Sequence, residues 1–133
     1  MRLAHELTAV WSAHDIARVV AFYADDYEGA DVAEAHPQHG PLAVRRWMQD
    51  NLTAFPDLHL SIEHCVATAD EVVVFWLARG THLGKVMNIP ATGRPIQMRG
   101  VALLVIRAGK IVRGFQVWDV AGMLRAIGLL PDL

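Results

Sequence analysis

IVRGFQVWDVAGMLRAI, Ile111–Ile127, decides how the chain is read. Its first nine residues carry a strand pattern and run straight into a short helix, with one carboxylate, Asp119, at the join. Alternation puts Ile111, Arg113, Phe115, Val117 and Asp119 on one face and Val112, Gly114, Gln116 and Trp118 on the other. The Asp119 face is apolar from Phe115 onward. If that face lines a cavity, its carboxyl is a usable general acid or base. An Asp directly before VAGML is equally placed to cap the helix.

Working outward, the chain has 133 residues, of which 53% are hydrophobic and 20% charged. That length suits one domain, 1–133, with a large apolar interior, an apolar cavity or a buried oligomer face. The net charge of −2 comes without a basic block, so no nucleic-acid footprint is present. The single cysteine, Cys65, excludes an internal disulfide framework and suits a reducing compartment. No apolar run is long enough for a membrane span, and MRLAHELTAV lacks a signal-peptide core. These features lead us to expect a cytoplasmic protein.

Helical periodicity runs from about Leu3 to Ala24, broken at His14–Asp15. Leu3, Leu7, Val10 and Trp11 share a face, and Asp15 is placed to cap a second helix. Asp25–Gly40 predicts a loop with at most a short strand. A helix starts at Gly40–Pro41 and stops at Phe55–Pro56. The period then changes to two. Leu58–Ala67 predicts a strand with Leu58, Leu60, Ile62, His64 and Val66 on one side. Val72–His82 predicts a second strand covered on both faces, at least centrally. After the Leu83–Arg94 loop come strands Pro95–Arg107 and Lys110–Val120, joined at Ala108–Gly109. Val120–Leu129 closes as a helix. Helices followed by an antiparallel meander make an α+β domain.

Between Arg79 and Gly128 the pieces GTHLG, IPATGR, RAGKIV and VWDVAGMLRAIG, with AFPDL at Ala54–Leu58, resemble the SnoaL-like polyketide cyclases of the NTF2-like superfamily. The resemblance implies a cone: a curved antiparallel sheet with helices on its concave side around a pocket. It also implies a homo-oligomer, dimer or tetramer, and no cofactor. The acid/base Asp of such cyclases falls on Asp119, and the His of the GTH motif falls on His82. Relatives carry Trp near Phe115 and His where Gly114 stands. They also carry an ordered strand with a central His where this chain has DDYEGADVAEAHPQHG. That segment borders the expected pocket, which leaves the substrate open.

Candidate ligand-binding residues are Trp47, Phe22, Met87, Phe115 and Trp118, because flat rings bind well between aromatic and Met side chains. Gln97 and Arg99 alternate into one face with Val101, Leu103 and Val105. Arg99 there either holds a substrate oxygen or makes a salt bridge. Gln116 is either a pocket donor or an outward sheet residue. Each aromatic residue equally suits core packing. His82 either polarises a carbonyl, orients Asp119 or bonds to backbone as a half-buried His. No HExxH or CxxC spacing is present, so no metal is expected. The leading reading is a cofactor-free cyclase of secondary metabolism closing a ring on a polyketide-like small molecule. An epoxide-opening cyclase or hydrolase, and a non-catalytic binding or assembly module, stand beside it. A continuous cavity reaching Asp119 separates chemistry from the last of these.

Overall fold

A computed structural model describes residues 2–132. Helix α1 (Arg2–Ser12) buries Ala4, Leu7, Val10 and Trp11, a stripe one helical face wide. The expected break follows. Ser12 Oγ donates to the Leu60 carbonyl and accepts from the Leu60 N–H, both at 3.0 Å. His14 Nε2 bonds the Leu58 carbonyl at 2.7 Å. Asp15 caps α2 (Ile16–Val20) by accepting from the Arg18 N–H at 3.2 Å.

The chain leaves the helix at Val20 rather than Ala24, and the expected Asp25–Gly40 loop is replaced by structure. Strand β1 spans Tyr23–Asp31, and β2 (Gln38–His39) pairs back on it antiparallel. A register irregularity between Tyr23 and Glu28 breaks the alternation that would have announced β1. From Asp26 onward Tyr27 and Gly29 are buried and Asp26, Glu28 and Ala30 are exposed, which reads locally as an acidic, small-residue loop.

Helix α3 (Gly40–Ala54) has Pro41 in its first turn and buries Val44, Met48 and Ala54. Strands β3 (His59–Ala67), β4 (Glu71–Thr81), β5 (Pro95–Arg107) and β6 (Lys110–Trp118) form the meander. The last element is α4 (Val120–Ala126). The six strands lie in the order β2-β1-β6-β5-β4-β3. All pairs are antiparallel except β1 with β6, so the sheet is mixed. Helix α1 packs on β3, α3 on β1 and α4 on β5. Val19, Val44, Met48, Phe55, Ile111 and Met123 form the closed centre between helices and sheet.

Two more irregularities decide which residues face inward. On β3, Ile62 pairs with Trp76 but His64 pairs with Phe75. The predicted single face therefore divides: Ile62 and Cys65 pack with Val72 and Val74, while Val66 is exposed and His64 lies against Phe75. Between β5 and β6, Ile106 pairs with Ile111 but Val105 pairs with Arg113. Ile111 is thus wholly buried, whereas Phe115 and Val117 are 47% and 44% exposed. The expectation that both faces of β4 are covered holds for the inner face, where Val72, Val74 and Ala78 are buried, and on the outer face at Leu77, which is 7% exposed; Phe75 on that outer face is 41% exposed.

Candidate active site

The concave side of the sheet and the helices enclose a cavity of about 830 Å³. Its depth is apolar and aromatic: Tyr23, Tyr27, Phe55, Met98, Leu104 and Met123. Trp11, Trp47, Trp76 and Trp118 also line it, and Trp11 meets Trp47 edge-on at 5.3 Å. Polar groups collect where the β1–β2 loop, α3 and the 83–94 loop meet. They include Asp31, Glu34, Arg46, Asp50 and Lys85. The size and the apolar-to-polar gradient suit a small organic ligand held by its rings and oriented by a few polar atoms.

Asp31 closes β1. Its Oδ2 accepts from Trp118 Nε1 at 3.1 Å and its Oδ1 from the Ala33 N–H at 2.8 Å. Glu34 follows on the turn, its own N–H donating to the Asp31 carbonyl at 3.0 Å. Partial desolvation at the rim holds the Glu34 carboxyl above the usual carboxylate range, and the charges of Asp31 and Asp50 add to the rise. A carboxyl whose pKa is raised, beside two further acidic groups, is better matched to taking up and returning a proton than an ordinary surface carboxylate. Arg46 and Lys85 form no ion pair among the described residues. No three His, Cys, Asp or Glu side chains among the described residues come together closely enough to hold a metal ion.

Tyr23 and Tyr27 stand edge to face at 4.8 Å in the depth of the cavity. Burial raises both phenols, Tyr27 to about 12, and proximity to Tyr27 adds to the rise at Tyr23. Both therefore stay protonated at neutral pH.

Two predicted catalytic residues lie elsewhere. Asp119 caps α4, with Oδ1 accepting from the Gly122 N–H at 2.8 Å. It is exposed and does not line the cavity, because the β6 irregularity turns the Phe115–Val117–Asp119 face outward. His82 is wholly buried, outside the cavity lining. Its Nδ1 accepts from the Thr92 N–H at 3.3 Å and stands 2.9 Å from Thr92 Oγ1. Its Nε2 is buried without a partner among the described residues. His82 pins the base of the 83–94 loop, where its N–H also donates to the Arg94 carbonyl at 2.9 Å. No hydrogen bond or ion pair joins it to Asp119 among the described residues.

Of the expected binding residues, Trp47, Met87 and Trp118 line the cavity. Met87 sits at a tight turn where Val86 and Ile89 exchange N–H···O bonds, and it has a left-handed φ of 48°. Phe115 borders the cavity but points to the outer face. Phe22 packs against the core away from the lining. Gln97 and Arg99 do not line the cavity, because odd-numbered residues of β5 face outward. Gln97 Oε1 accepts from Arg79 Nε at 3.2 Å, and Arg99 pairs with Glu63 at 2.8 Å. Gln116 takes the inward option and lines the cavity. Asp31, Glu34, Asp50 and Tyr27 were not singled out by sequence. The only signal was that the segment after Asp25 departs from its relatives where it borders the pocket.

A curved sheet wrapped by helices around one deep ligand cavity defines the NTF2-like cone. The profile of the SnoaL-like polyketide cyclases matches residues 1–127, and the chain belongs to that family. Among solved structures it is similar to AclR, a candidate hydroxylase from Streptomyces galilaeus, at 26% identity and TM-score 0.88, covering 99% of this chain and 86% of that one. It is also similar to IdmH, a candidate polyketide cyclase from Streptomyces antibioticus, at 25% identity and TM-score 0.83, covering 96% of each chain. TsrD from Streptomyces laurentii shares the fold at 21% identity and TM-score 0.86, covering 97% of this chain and 94% of that one. No curated protein sequence matches significantly. Among the described residues no helix is long and apolar enough to cross a membrane.

Proposed function

We propose that the chain is a cytoplasmic, cofactor-free cyclase of secondary metabolism that closes a ring on a polyketide-like carbonyl compound. The observation that supports this reading is an apolar, aromatic cavity with a carboxyl at its polar rim, Glu34, held above the usual carboxylate range by partial desolvation and the charges of Asp31 and Asp50. Ionised Glu34 takes a proton from a carbon between two carbonyls. The enolate attacks a second carbonyl of the same molecule, forming the new carbon–carbon bond. Protonated Glu34 then returns the proton to the alkoxide, so no net charge or atom is lost. The cavity holds the flexible chain in an attacking geometry, an effect that reaches several kcal/mol in well-oriented systems. Family resemblance gives the proton transfer to Asp119 instead, and the two assignments make opposite predictions.

The test is turnover of a 1,3-dicarbonyl compound bearing an internal ketone acceptor. Glu34→Gln is expected to lower kcat by about 100-fold or more. Full activity in that variant would overturn the assignment. A protonated Glu34 would equally serve an epoxide-opening reaction, which a hydroxy-epoxide substrate distinguishes. The uncovered rows Val66–Val73–Leu103–Phe115 and His64–Phe75–Val101–Val117 on the outer sheet face support pairing with a second copy of the chain.

A further inference from the structure

We propose that the Tyr27 hydroxyl is the hydrogen-bond donor that receives a carbonyl or enolate oxygen of the ligand, in a notch that Gly29 and Gly114 keep open. The inference rests on the cavity being the ligand site and adds to it where the ligand oxygen docks.

Three observations converge. First, Tyr27 is only 5% exposed, yet it lines the cavity and its hydroxyl bonds to no described residue. The hydroxyl is not one of the buried polar atoms left without a partner; it is open to the cavity, where its O–H is free to meet an acceptor from outside the chain. Second, Gly29 and Gly114 are cross-strand partners on β1 and β6, and both abut the Tyr27 phenol. A Cβ on Gly114 would stand 2.6 Å from the Tyr27 hydroxyl, and one on Gly29 would also collide with it. Paired glycines weaken a sheet interior and mark places where something must approach the backbone closely. Here they seat the end of a phenol. Third, the ring cannot swing away freely, because Tyr23 braces it edge-on.

The chemistry of the notch is that of a donor. The phenol keeps its proton through the neutral range, so it offers an O–H to an acceptor oxygen and cannot itself act as a base there. It lies among apolar walls, where a hydrogen bond to a carbonyl oxygen gains strength as that oxygen becomes an enolate. Gln116, two residues beyond Gly114 on the same inward face, is the nearest alternative donor along β6.

Fluorenone and fluorene are flat three-ring probes that differ in one carbonyl oxygen. Binding of each is followed by quenching of the tryptophans that line the cavity. Tyr27→Phe is expected to weaken fluorenone about fivefold to tenfold and to leave fluorene within about a factor of two. The infrared carbonyl band of bound fluorenone should return to its apolar-solvent position in the same variant. Gly114→Ala, which displaces the phenol while keeping its hydroxyl, should lose the same preference. Equal losses for both probes, or a carbonyl band in Tyr27→Phe that stays where the wild type has it, overturn the assignment to Tyr27. Failure of the wild type to bind either probe would strike at the cavity itself, and with it the proposed function as well as this inference.

Discussion

Asp119 is where the proposed chemistry is most exposed to refutation. Its carboxylate accepts one N–H at the first turn of α4, a bond of the kind whose loss costs about 1 kcal/mol. For 133 residues, an unfolding entropy of about 2.1 cal/mol/K per residue gives about 0.28 kcal/mol/K. Asp119→Ala should therefore lower the melting temperature by about 3–4 °C. Asn caps helices about as well as Asp, so Asp119→Asn should melt within about 1 °C of the wild type. Because the side chain does not line the cavity, Asp119→Asn should also keep kcat within about threefold, the scale of a change outside the reacting centre. The pair of variants, assayed by calorimetry and by turnover of the dicarbonyl substrate, separates cap from catalyst. A loss of 100-fold or more in Asp119→Asn with an unchanged melting temperature would show that Asp119 reaches the substrate, and the Glu34 mechanism would fall.

The carboxyl cluster predicts a pH signature. Only ionised Glu34 can accept the first proton, so kcat/KM should rise with pH through a limb above the ordinary carboxylate range. Asp50→Asn removes one of the charges that raises Glu34, so this limb should move to lower pH; a limb that stays put would detach Asp50 from the site. The sign for stability is opposite to that of a salt-bridged acid. A raised folded-state pKa stabilises below the unfolded value and loses that contribution as pH rises through the folded one. Glu34→Gln should accordingly melt no lower than wild type at pH 7, a point thermal scans decide. For the outer face, Phe75→Glu places a charge between Val101 and His64, in the middle of the uncovered rows. Sedimentation should show the wild type as a multiple of one chain and this variant as a single chain; a monomeric wild type would remove the interface.

The elements of this chain were legible because periodicity is a local property. The α1–α2 break at Asp15, the Pro41 start of α3, the hairpin at Ala108–Gly109 and every strand of the meander appear within a few residues of their predicted places. Facing is not local. A strand keeps its period of two only until an extra residue enters, and one such residue exchanges every later side chain between cavity and solvent. On β6 the irregularity beside Ile111 sends Gly114, Gln116 and Trp118 inward and carries Asp119 out to cap a helix. On β1 a similar break conceals a whole strand, and with it Tyr27 and the approach to Asp31 and Glu34. Neither break has a residue signature of its own; each is fixed by pairing with a strand distant in sequence. β1 and β6 are separated by some eighty residues of chain. The acidic loop beside the cavity was therefore visible as composition but not as geometry. Its carboxyls become a candidate proton-transfer site only because the β1–β6 pairing brings Asp31 under Trp118 and α3 brings Asp50 beside Glu34. The same pairing sets Gly29 against Gly114 and so decides where the Tyr27 hydroxyl can stand. A site of this kind depends on cross-strand register, so deletion of Val112, the extra residue of the β6 irregularity, should disturb it more than most changes to the lining itself.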